Sequence, residues 1–280
     1  MTRERHNYEY DVDVSAQTGP ANVVRLVGRD KNVLEIGCGP GSITKILAEQ
    51  SACEVTGLEL DLEAIKKVTP YCVKVIQADL NSSEWPSLLE GNLYDVVVAA
   101  DVLEHLYDPW SSLKRMVPLI NENGYIVISL PHVGHAAVTA CLINGNFDYR
   151  DWGLLDRTHI RFFGLKNIED LFAQANLKII EARYVTKPPE ETEFAAGWAR
   201  LSSNVQYALM SSKHAQVYQV VVKAVPLDRF GETISLVPPT FKYRRRIVSI
   251  ASLKTRFAEY LSPELKVKIR KIFNRLGVKL

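Results

Sequence analysis

The chain has 280 residues, of which 47% are hydrophobic and 24% charged; these proportions are typical of a soluble globular protein and exclude a wholly disordered or fibrous chain. The formal net charge of +2 conceals an asymmetry, because residues 241–280 carry twelve basic and two acidic side chains while residues 1–240 carry 22 basic and 30 acidic ones. The sequence therefore predicts a domain over residues 1–230 and a separate basic tail over residues 241–280, with different partners.

Between about residue 32 and residue 226, short runs rich in β-branched residues alternate with helical patterns, which is typical of βαβ units in a parallel sheet. The predicted strands are, in chain order, Asn32–Ile36, Glu54–Glu59, Val73–Gln77, Tyr94–Ala99, Gly124–Leu130, Leu177–Val185 and Val217–Val225. The predicted helices are Ser42–Glu49, Leu62–Val68, Asp108–Leu119 and Leu165–Ala175. We expect an α/β fold with a Rossmann-like, doubly wound, seven-stranded and mostly parallel sheet, followed by a helical basic C-terminal appendage.

Two long connections interrupt this alternation. One covers residues 131–163 after the fifth strand, and the other covers residues 187–216 before the last strand. Connections of this length in a compact domain usually carry function or cover a site. We therefore predict that both form the pocket of an acceptor substrate; for the second, a plain surface excursion is the competing interpretation.

The first predicted strand runs into a loop with three glycines, Gly37, Gly39 and Gly41, and then into a helix. Glycine is needed where the chain turns tightly off a strand and where a ligand approaches the backbone. The dinucleotide fingerprint G-x-G-x-x-G would require glycine in place of Ser42, and it serves to hold a pyrophosphate. S-adenosylmethionine carries instead a positive amino group and a sulfonium, for which the acidic Glu35 is suitable chemistry. The loop thus predicts an S-adenosylmethionine site rather than a nicotinamide or flavin site.

Carboxylates also follow the next two strands. Glu59 ends the second predicted strand, where a carboxylate can accept hydrogen bonds from both ribose hydroxyls of the cofactor. Asp79 follows the third strand and can either accept from the adenine amino group or cap its own loop. Asp61 is expected to cap the following helix.

These motifs, spread over about residues 8–225, resemble the class I methyltransferases, and most closely the branch that contains the ubiquinone-biosynthesis type. The residues that carry the resemblance are Glu35-Ile36-Gly37-Cys38-Gly39-Pro40-Gly41, Glu59, Ala78-Asp79, Tyr94-Asp95-Val96-Val97-Val98 and Asp101-Val102-Leu103-Glu104-His105-Leu106-Tyr107-Asp108-Pro109. The cofactor-site residues predicted in this way are Glu35, Gly37, Gly39, Gly41, Glu59, Asp79, Leu80 and Asp101. The resemblance implies that Glu59 holds the ribose and that Asp79 with Leu80 flanks the adenine.

A narrower resemblance concerns the first long connection and points to bacterial methyltransferases associated with glycosyltransferases and surface-polysaccharide assembly. It rests on Gly145-x-Phe147-Asp148-Tyr149 and on Gly153-Leu154-Leu155-Asp156-Arg157-Thr158-His159-Ile160-Arg161-Phe162-Phe163. Phe147, Tyr149 and Trp152 place three aromatic rings in this stretch. They either stack on a sugar or aromatic acceptor or form a hydrophobic cluster that fastens the loop.

Methyl transfer from a sulfonium needs mainly alignment and exclusion of water, but a hydroxyl acceptor benefits from a base, usually histidine. His159, close in sequence to Asp156, is predicted to be this base, with the alternative that it pins the connection to the core. His105 is a second candidate, with a structural or cofactor-shell role as its alternative. His132 is a third, although it and His135 are also expected to lie in a solvated loop. The spacing of His132, His135 and His159 gives no support for a metal ion, and none is predicted.

The cysteine pattern, the N-terminal residues and the apolar runs indicate in which cellular compartment the protein is expected. Cys38, Cys53, Cys72 and Cys141 show no C-x-x-C pair and no zinc-ligand spacing, so we expect reduced thiols and a cytoplasmic protein. The N-terminal residues have no apolar stretch after their charges, which predicts no secretory signal. No uninterrupted apolar run approaches the roughly 20 residues that span a bilayer.

The basic tail is predicted to be helical. Ser262 and Pro263 suit an N-cap and a first helical position, and apolar residues follow at helical spacing. Those residues are Leu265, Ile269, Ile272, Phe273 and Leu276. An apolar stripe beside a basic face suits an anionic membrane, here the inner face. Alternatively the stripe docks on the acidic body or on a second subunit of a homodimer; RNA is less favoured, because the tail lacks the glycine and aromatic pattern of common RNA modules.

The leading hypothesis is therefore S-adenosylmethionine-dependent O-methylation of a sugar hydroxyl in a glycan or lipid-linked glycan. The alternative within the enzymes is methylation of a quinone-like lipid intermediate. A third hypothesis is a module docked on membrane or RNA that keeps the cofactor fold without turnover. The intact glycines and Glu59 argue against the third, because a degenerate site should have lost some of them.

Overall fold

The structure is a computed structural model, and it describes residues 9–236. Seven strands lie at or near their predicted positions. They are β1 (Asn32–Ile36), β2 (Glu54–Glu59), β3 (Lys74–Gln77), β4 (Tyr94–Ala100), β5 (Ile120–Pro131), β6 (Leu177–Thr186) and β7 (Val217–Pro226). The tail predicted over residues 241–280 lies outside the described residues.

The seven strands form one sheet in the order β3-β2-β1-β4-β5-β7-β6. β1 to β5 pair with one another in parallel, whereas β7 runs antiparallel to both β5 and β6. β1 lies between β2 and β4, so the strand order reverses there. In open α/β sheets, ligands bind outside the carboxyl ends of the strands at such a switch point. The prediction of a Rossmann-like, mostly parallel seven-stranded sheet is confirmed.

The central strand β4 shows why this sheet is covered on both faces. Successive side chains of a strand point to opposite faces. Val97 and Ala99 belong to the larger core cluster, while Val96 and Val98 belong to a second cluster on the other face. Because all four are buried, β4 needs an uninterrupted apolar run, as strands of doubly covered parallel sheets do. Its carboxyl end is therefore held firmly in place.

Eight α-helices flank the sheet within the described residues. They are α1 (Gly19–Val27), α2 (Ser42–Glu49), α3 (Leu62–Val68), α4 (Pro109–Met116), α5 (Ala136–Ile143), α6 (Leu165–Gln174), α7 (Ala195–Ala199) and α8 (Ser203–Met210). Asp61 caps α3 as expected, since its Oδ1 accepts from the backbone N–H groups of Glu63 and Ala64. No helix in residues 9–236 combines the length and the apolar character that crossing a membrane requires.

The two long connections pack against each other. The connection over residues 131–163 contains α5, and the one over residues 187–216 contains α7 and α8. Phe194 of the second is buried in one cluster with Leu154 and Leu155 of the first. A neighbouring cluster joins residues of α5 and α7 with Met210 of α8. The two connections thus form one apolar layer that begins at the carboxyl end of β5.

Candidate functional site

The loop after β1 adopts a left-handed backbone at each of its glycines, with φ of +69° at Gly37, +54° at Gly39 and +95° at Gly41. A Cβ on Gly37 would lie 2.7 Å from Val102 Cγ2, and one on Gly41 would lie 2.9 Å from Val68 Cγ2. A Cβ on Gly39 would meet no atom within 4 Å. Gly37 and Gly41 are therefore required by packing within the protein, whereas Gly39 faces open space where a ligand can approach the backbone.

Glu59, at the end of β2, braces this loop. Its Oε2 accepts from the N–H of Gly39 over 2.8 Å. Its Oε1 accepts from the N–H groups of Leu60 over 2.7 Å and Asp61 over 2.9 Å. A carboxylate offers about four acceptor positions, so these three bonds leave capacity for a ligand hydroxyl. The geometry is compatible with the predicted ribose contact, which itself stays a prediction.

Glu35 is enclosed by the protein. Its side chain is 2% exposed, and its Oε2 accepts from Thr44 Oγ1 of α2 over 2.7 Å. Burial raises the pKa of Glu35 to about 7; the Thr44 hydrogen bond opposes this rise and the Glu59 carboxylate adds to it. Glu35 thus joins the loop to α2 and offers little surface to a ligand. Its predicted contact with the positive groups of the cofactor stays untested.

Asp79 and Leu80 follow β3, the strand beside β2. Asp79 is exposed, and its Oδ1 accepts from the N–H of Asn81 over 2.9 Å, so it caps its own loop. Leu80 is partly buried against the larger core cluster. The two residues lie where the adenine assignment needs them, at the end of the strand next to Glu59, and their contact with adenine stays a prediction.

Asp101 follows β4 at the switch point. Its φ of +54° is uncommon for a residue other than glycine and often marks a functional position. Its Oδ1 accepts from Ser129 Oγ over 2.8 Å and from Gln219 Nε2 over 2.5 Å. Burial raises the pKa of Asp101, and these two hydrogen bonds oppose the rise. Side chains from β5 and β7 thus fix one carboxylate next to the glycine loop.

Three further side chains form what we call the Glu104 cluster: Glu104, His105 and His159. Their possible ligand atoms all lie within 4.8 Å of one another. The rings of His105 and His159 meet edge to face with centroids 4.8 Å apart. His159 Nε2 lies 3.9 Å from Glu104 Oε1, and both of these side chains are buried. The sequence predicts no metal site, yet the fold gathers here the donor types that bind divalent cations.

The carboxyl of Glu104 is the least satisfied group of this cluster. Both of its oxygens are buried without a hydrogen-bond partner among the described residues, which is costly in the absence of a ligand. Burial raises the pKa of Glu104 well above its usual range, and Asp101 adds to this. Burial also lowers the pKa of His159 to about 4, helped by His105. The cluster is suited to exchange a proton with a ligand or to hold a cation.

The side chain of Asp156 forms no hydrogen bond with His159 among the described residues, although its charge raises the pKa of His159. The Oδ1 of Asp156 accepts from the N–H of Thr158 over 2.8 Å and from its hydroxyl over 2.7 Å. Thr158 Oγ1 in turn lies 3.1 Å from Nδ1 of His105. Asp156 therefore acts on His105 through Thr158, and the carboxyl that faces His159 is that of Glu104.

His132 and His135 are both buried, so the expectation of solvated loop histidines is wrong. His135 Nδ1 accepts from the N–H of Ala137 over 3.1 Å, and its Nε2 lies 2.8 Å from the carbonyl oxygen of Lys187. One nitrogen of His135 thus caps α5, and the other ties the start of this helix to Lys187 of the second connection. The ring nitrogens of His132 have no hydrogen-bond partner among residues 9–236, and its ring meets that of His214 at 5.4 Å between centroids. His132 stays a candidate for ligand contact.

Residues 8–182 match the family model described as a methyltransferase domain, and this match covers more than half of the chain. The chain belongs to the methyltransferase domain family. The match includes β1 to β5, and with them the glycine loop, Glu59, Asp101 and the Glu104 cluster.

Among curated proteins, this methyltransferase domain is similar to ubiquinone biosynthesis O-methyltransferases. The protein from Nitrosospira multiformis is 32% identical over 108 residues, which cover 38% of this chain and 44% of that protein. The protein from Burkholderia thailandensis is 24% identical over 178 residues, which cover 59% of this chain and 72% of that protein. The match to the Nitrosospira protein thus spans less than half of its length.

Solved structures show a likeness in fold. A putative methyltransferase from Bacillus halodurans has a TM-score of 0.52 at 12% identity, with 73% of this chain and 96% of that chain covered. Magnesium protoporphyrin IX methyltransferase from Synechocystis, solved with S-adenosylhomocysteine bound, has a TM-score of 0.50 at 16% identity, with 75% of this chain and 82% of that chain covered. At these identities the likeness concerns the fold of the methyltransferase domain alone.

The aromatic residues of the first long connection divide into two groups. Phe147 contacts Tyr149 and Phe162, with centroids 5.1 and 5.5 Å away, and so fastens the loop. Tyr149 and Trp152 are 59% and 58% exposed. Lys187 lies over the Trp152 ring, 5.8 Å from its centroid. The loop-fastening interpretation thus applies to Phe147, and stacking of Tyr149 and Trp152 on an acceptor stays a prediction.

Two residues of the site have no sequence signal for the positions they take. Glu104 stands in the motif that resembles the family, but nothing local indicates that it faces His159. Tyr10 precedes every predicted element, yet its N–H donates to Ser42 Oγ over 3.0 Å at the start of α2. Only the three-dimensional fold of the methyltransferase domain brings these residues to the switch point.

Proposed function

We propose that the protein is an S-adenosylmethionine-dependent methyltransferase that methylates an oxygen atom of its acceptor. One juxtaposition carries this proposal. At the switch point of the sheet, the open backbone at Gly39, braced by Glu59, follows β1, and Glu104 and His105 of the Glu104 cluster follow the adjacent strand β4. The loop at Gly39 can bind a methyl donor, and the Glu104 cluster can accept the proton of an acceptor hydroxyl.

S-adenosylmethionine supplies a methyl group bonded to a positively charged sulfur. Gly39 allows the donor to approach the backbone, and Glu59 has acceptor capacity for its ribose hydroxyls. Asp79 and Leu80 flank the adenine. Asp101 offers its fixed carboxylate to the positive part of the donor. Family membership and the geometry of the loop support these roles.

His159 receives the proton of the acceptor hydroxyl in this proposal. A pKa of about 4 keeps its ring unprotonated near neutral pH but also makes it a weak base. Glu104, whose Oε1 lies 3.9 Å from His159 Nε2, stabilises the imidazolium in its ionised form, which its raised pKa disfavours until His159 takes up the proton. Burial of both side chains excludes water from the exchange.

The same residues support a second route to an activated hydroxyl. Glu104, His105 and His159 offer one carboxylate and two imidazoles, which are ligands for a divalent cation. A cation held there would lower the pKa of a hydroxyl bound to it, and no separate base would be needed. Removal and restoration of metal distinguish the two routes.

As the acceptor we propose a sugar hydroxyl in a glycan or lipid-linked glycan. Support comes from the exposed rings of Tyr149 and Trp152 and from the family resemblance of residues 145–163. The second candidate is a phenolic hydroxyl of a quinone-like lipid, which is favoured by the names of the similar curated proteins. A module without turnover is disfavoured by the complete glycine loop.

The test is methyl transfer from isotopically labelled S-adenosylmethionine to two acceptor panels, one of soluble and lipid-linked glycans and one of polyprenylated catechols. Mass spectrometry locates the labelled methyl group. Label on a glycan oxygen is the expected result, and label on a catechol oxygen selects the second candidate. Label on nitrogen, carbon or sulfur of an acceptor, with none on oxygen, would overturn the O-methylation proposal.

A further inference from the structure

The described chain begins with a segment, residues 9–16, that runs beside the cofactor loop; we call it the N-terminal strap. At one end Glu9 forms an ion pair with Lys67 of α3. The next residue, Tyr10, donates its backbone N–H to Ser42 Oγ over 3.0 Å. Because Ser42 follows Gly41 directly, these contacts place the strap at the end of the glycine loop.

The other end of the strap is held by Arg25 of α1. Its guanidinium donates from Nη2 to the carbonyl oxygen of Val14 over 2.8 Å, and also to that of Ala16. Val12, between the two anchors, packs against the second core cluster. The strap is therefore fixed at both ends, and the position of Tyr10 over the loop is set by the fold.

The backbone contact with Ser42 places Tyr10 at the end of the glycine loop, beside the switch point. Burial raises the pKa of its hydroxyl, and the carboxyls of Asp101 and Glu35 raise it further. The phenol is thus a permanent hydrogen-bond donor. The residue as a whole is 45% exposed, so its ring still has free apolar surface.

The chemistry around Tyr10 complements the amino-acid end of S-adenosylmethionine. Asp101 suits a positive ammonium group, but when ionised it repels the carboxylate that lies beside this group on the same carbon. The protonated phenol of Tyr10 supplies the donor that this carboxylate requires. The free surface of the ring can cover the same part of the ligand and exclude water.

We propose that Tyr10 is a cofactor-contact residue, which the N-terminal strap holds over the amino-acid end of S-adenosylmethionine. Its hydroxyl donates a hydrogen bond to the cofactor carboxylate, and its ring closes this side of the pocket. The proposal concerns donor binding, and its tests need no acceptor. It is therefore independent of the acceptor proposed above.

Calorimetry of the full chain with S-adenosylmethionine tests the hydroxyl and the ring separately. Tyr10→Phe keeps the ring, and the loss of one bond to a charged acceptor should raise Kd by about tenfold. Tyr10→Ala should raise Kd further. Tyr207, which is 72% exposed on α8, provides the matched control, and Tyr207→Phe should bind as the wild type does. A Tyr10→Phe protein with unchanged Kd would overturn the hydroxyl contact.

A charge swap tests the strap without touching Tyr10. Glu9→Lys and Lys67→Glu should each raise Kd several-fold, because they replace an ion pair by repulsion, and the double variant should restore affinity. Hydrogen exchange should show that S-adenosylhomocysteine slows amide exchange in residues 9–16 of the wild type but not of Tyr10→Ala. Exchange that is unaffected by the ligand in the wild type would show that the strap does not contact the cofactor.

Discussion

At the level of single residues, the proposed chemistry depends most on His159. His159→Ala should lower kcat by about a hundredfold or more, because it removes the base and leaves the donor site intact. Affinity for S-adenosylmethionine should not change. The measurement is steady-state turnover with the acceptor found in the transfer assay.

Two outcomes would assign the role of the base to another group. If His159→Ala turns over normally while His105→Ala or His132→Ala does not, the base is the other histidine. If a chelator abolishes turnover of the wild type and Mg²⁺ or Zn²⁺ restores it, the Glu104 cluster works as a cation site. Under that result, Glu104→Gln should raise the concentration of metal needed for half-maximal activity.

Glu35 should give the stability of the protein a distinct pH dependence. The pKa of Glu35 is about 7 in the folded protein, above its ordinary 4.5. The folded state then binds the proton more tightly than the unfolded state, so the stabilisation is present below pH 4.5 and is lost as pH rises through 7. Glu35→Gln keeps an acceptor for Thr44 and removes this titration.

Urea unfolding at pH 5 and pH 8 measures the effect. Relative to Glu35→Gln, the wild type should lose up to about 3 kcal/mol of unfolding free energy between the two values. The sign is specific, because a carboxylate stabilised in the folded state would change stability in the opposite direction. An equal change in both proteins would show that Glu35 is ionised with an ordinary pKa.

The sequence can predict those parts of the site that depend on contacts between residues close together in the chain. The glycine loop and Glu59 each follow a strand that the local pattern predicts, and in such folds the carboxyl ends of the parallel strands lie at the ligand site. The pairing of Glu104 with His159 joins two distant segments through an irregular connection. The local sequence favours Asp156 as the partner of His159, but the hydrogen bonds of the Asp156 side chain go to Thr158.

At the level of elements, substitutions of the glycines after β1 should affect the stability of the protein and its affinity for the cofactor differently. Gly37→Ala should destabilise the protein more than Gly39→Ala, because its Cβ would lie 2.7 Å from Val102 Cγ2 in addition to the strained φ. Gly39→Ala carries only the backbone strain of about 1 kcal/mol, but its methyl group projects into the open space and should weaken cofactor binding.

Denaturant unfolding and calorimetry on the two variants check this difference. The double variant Gly37→Ala with Val102→Ala should recover part of the stability lost by Gly37→Ala, since it removes the contacted methyl groups. Equal cofactor affinity of Gly39→Ala and the wild type would contradict the assignment of the open space at Gly39 to the ligand.

The strands were predictable because each is a short β-branched run bounded by polar turns. Helices α2 and α3 were predictable because an amphipathic pattern follows directly after a strand. α5 gives no such signal: its sequence has almost no polar residue, and it packs against the rest of the first connection and against the second. α1 begins with Gly19 and Pro20, which read locally as a turn although proline is favourable in a first helical turn.

At the level of the whole molecule, the basic tail of residues 241–280 is predicted to bind anionic membranes. Its net charge of +10, at about 1 kcal/mol per basic residue near an anionic leaflet, suffices for reversible docking even if half of the charges reach the lipid. The full chain should sediment with anionic vesicles and not with neutral ones. Residues 1–240 should stay in solution and bind cofactor.

Rising salt should release the full chain only in part, because Ile269, Ile272, Phe273 and Leu276 would be inserted among the lipids. The full chain could instead fail to bind the vesicles, and removal of the tail could dissociate an oligomer or unfold residues 1–240. In that case the tail is a packing element. The membrane prediction is then wrong, and the second subunit or the acidic body is its partner.

The central claim, a site at the switch point that binds S-adenosylmethionine through Glu59, is tested most directly by calorimetry of the full chain. The wild type should bind one S-adenosylmethionine per chain and prefer it to NAD. Glu59→Ala should bind it at least tenfold more weakly, since bonds to a charged acceptor contribute about 1.5–3 kcal/mol each, whereas Glu54→Ala at the other end of β2 should bind normally. Tighter binding of NAD, or unchanged affinity in Glu59→Ala, would contradict the account.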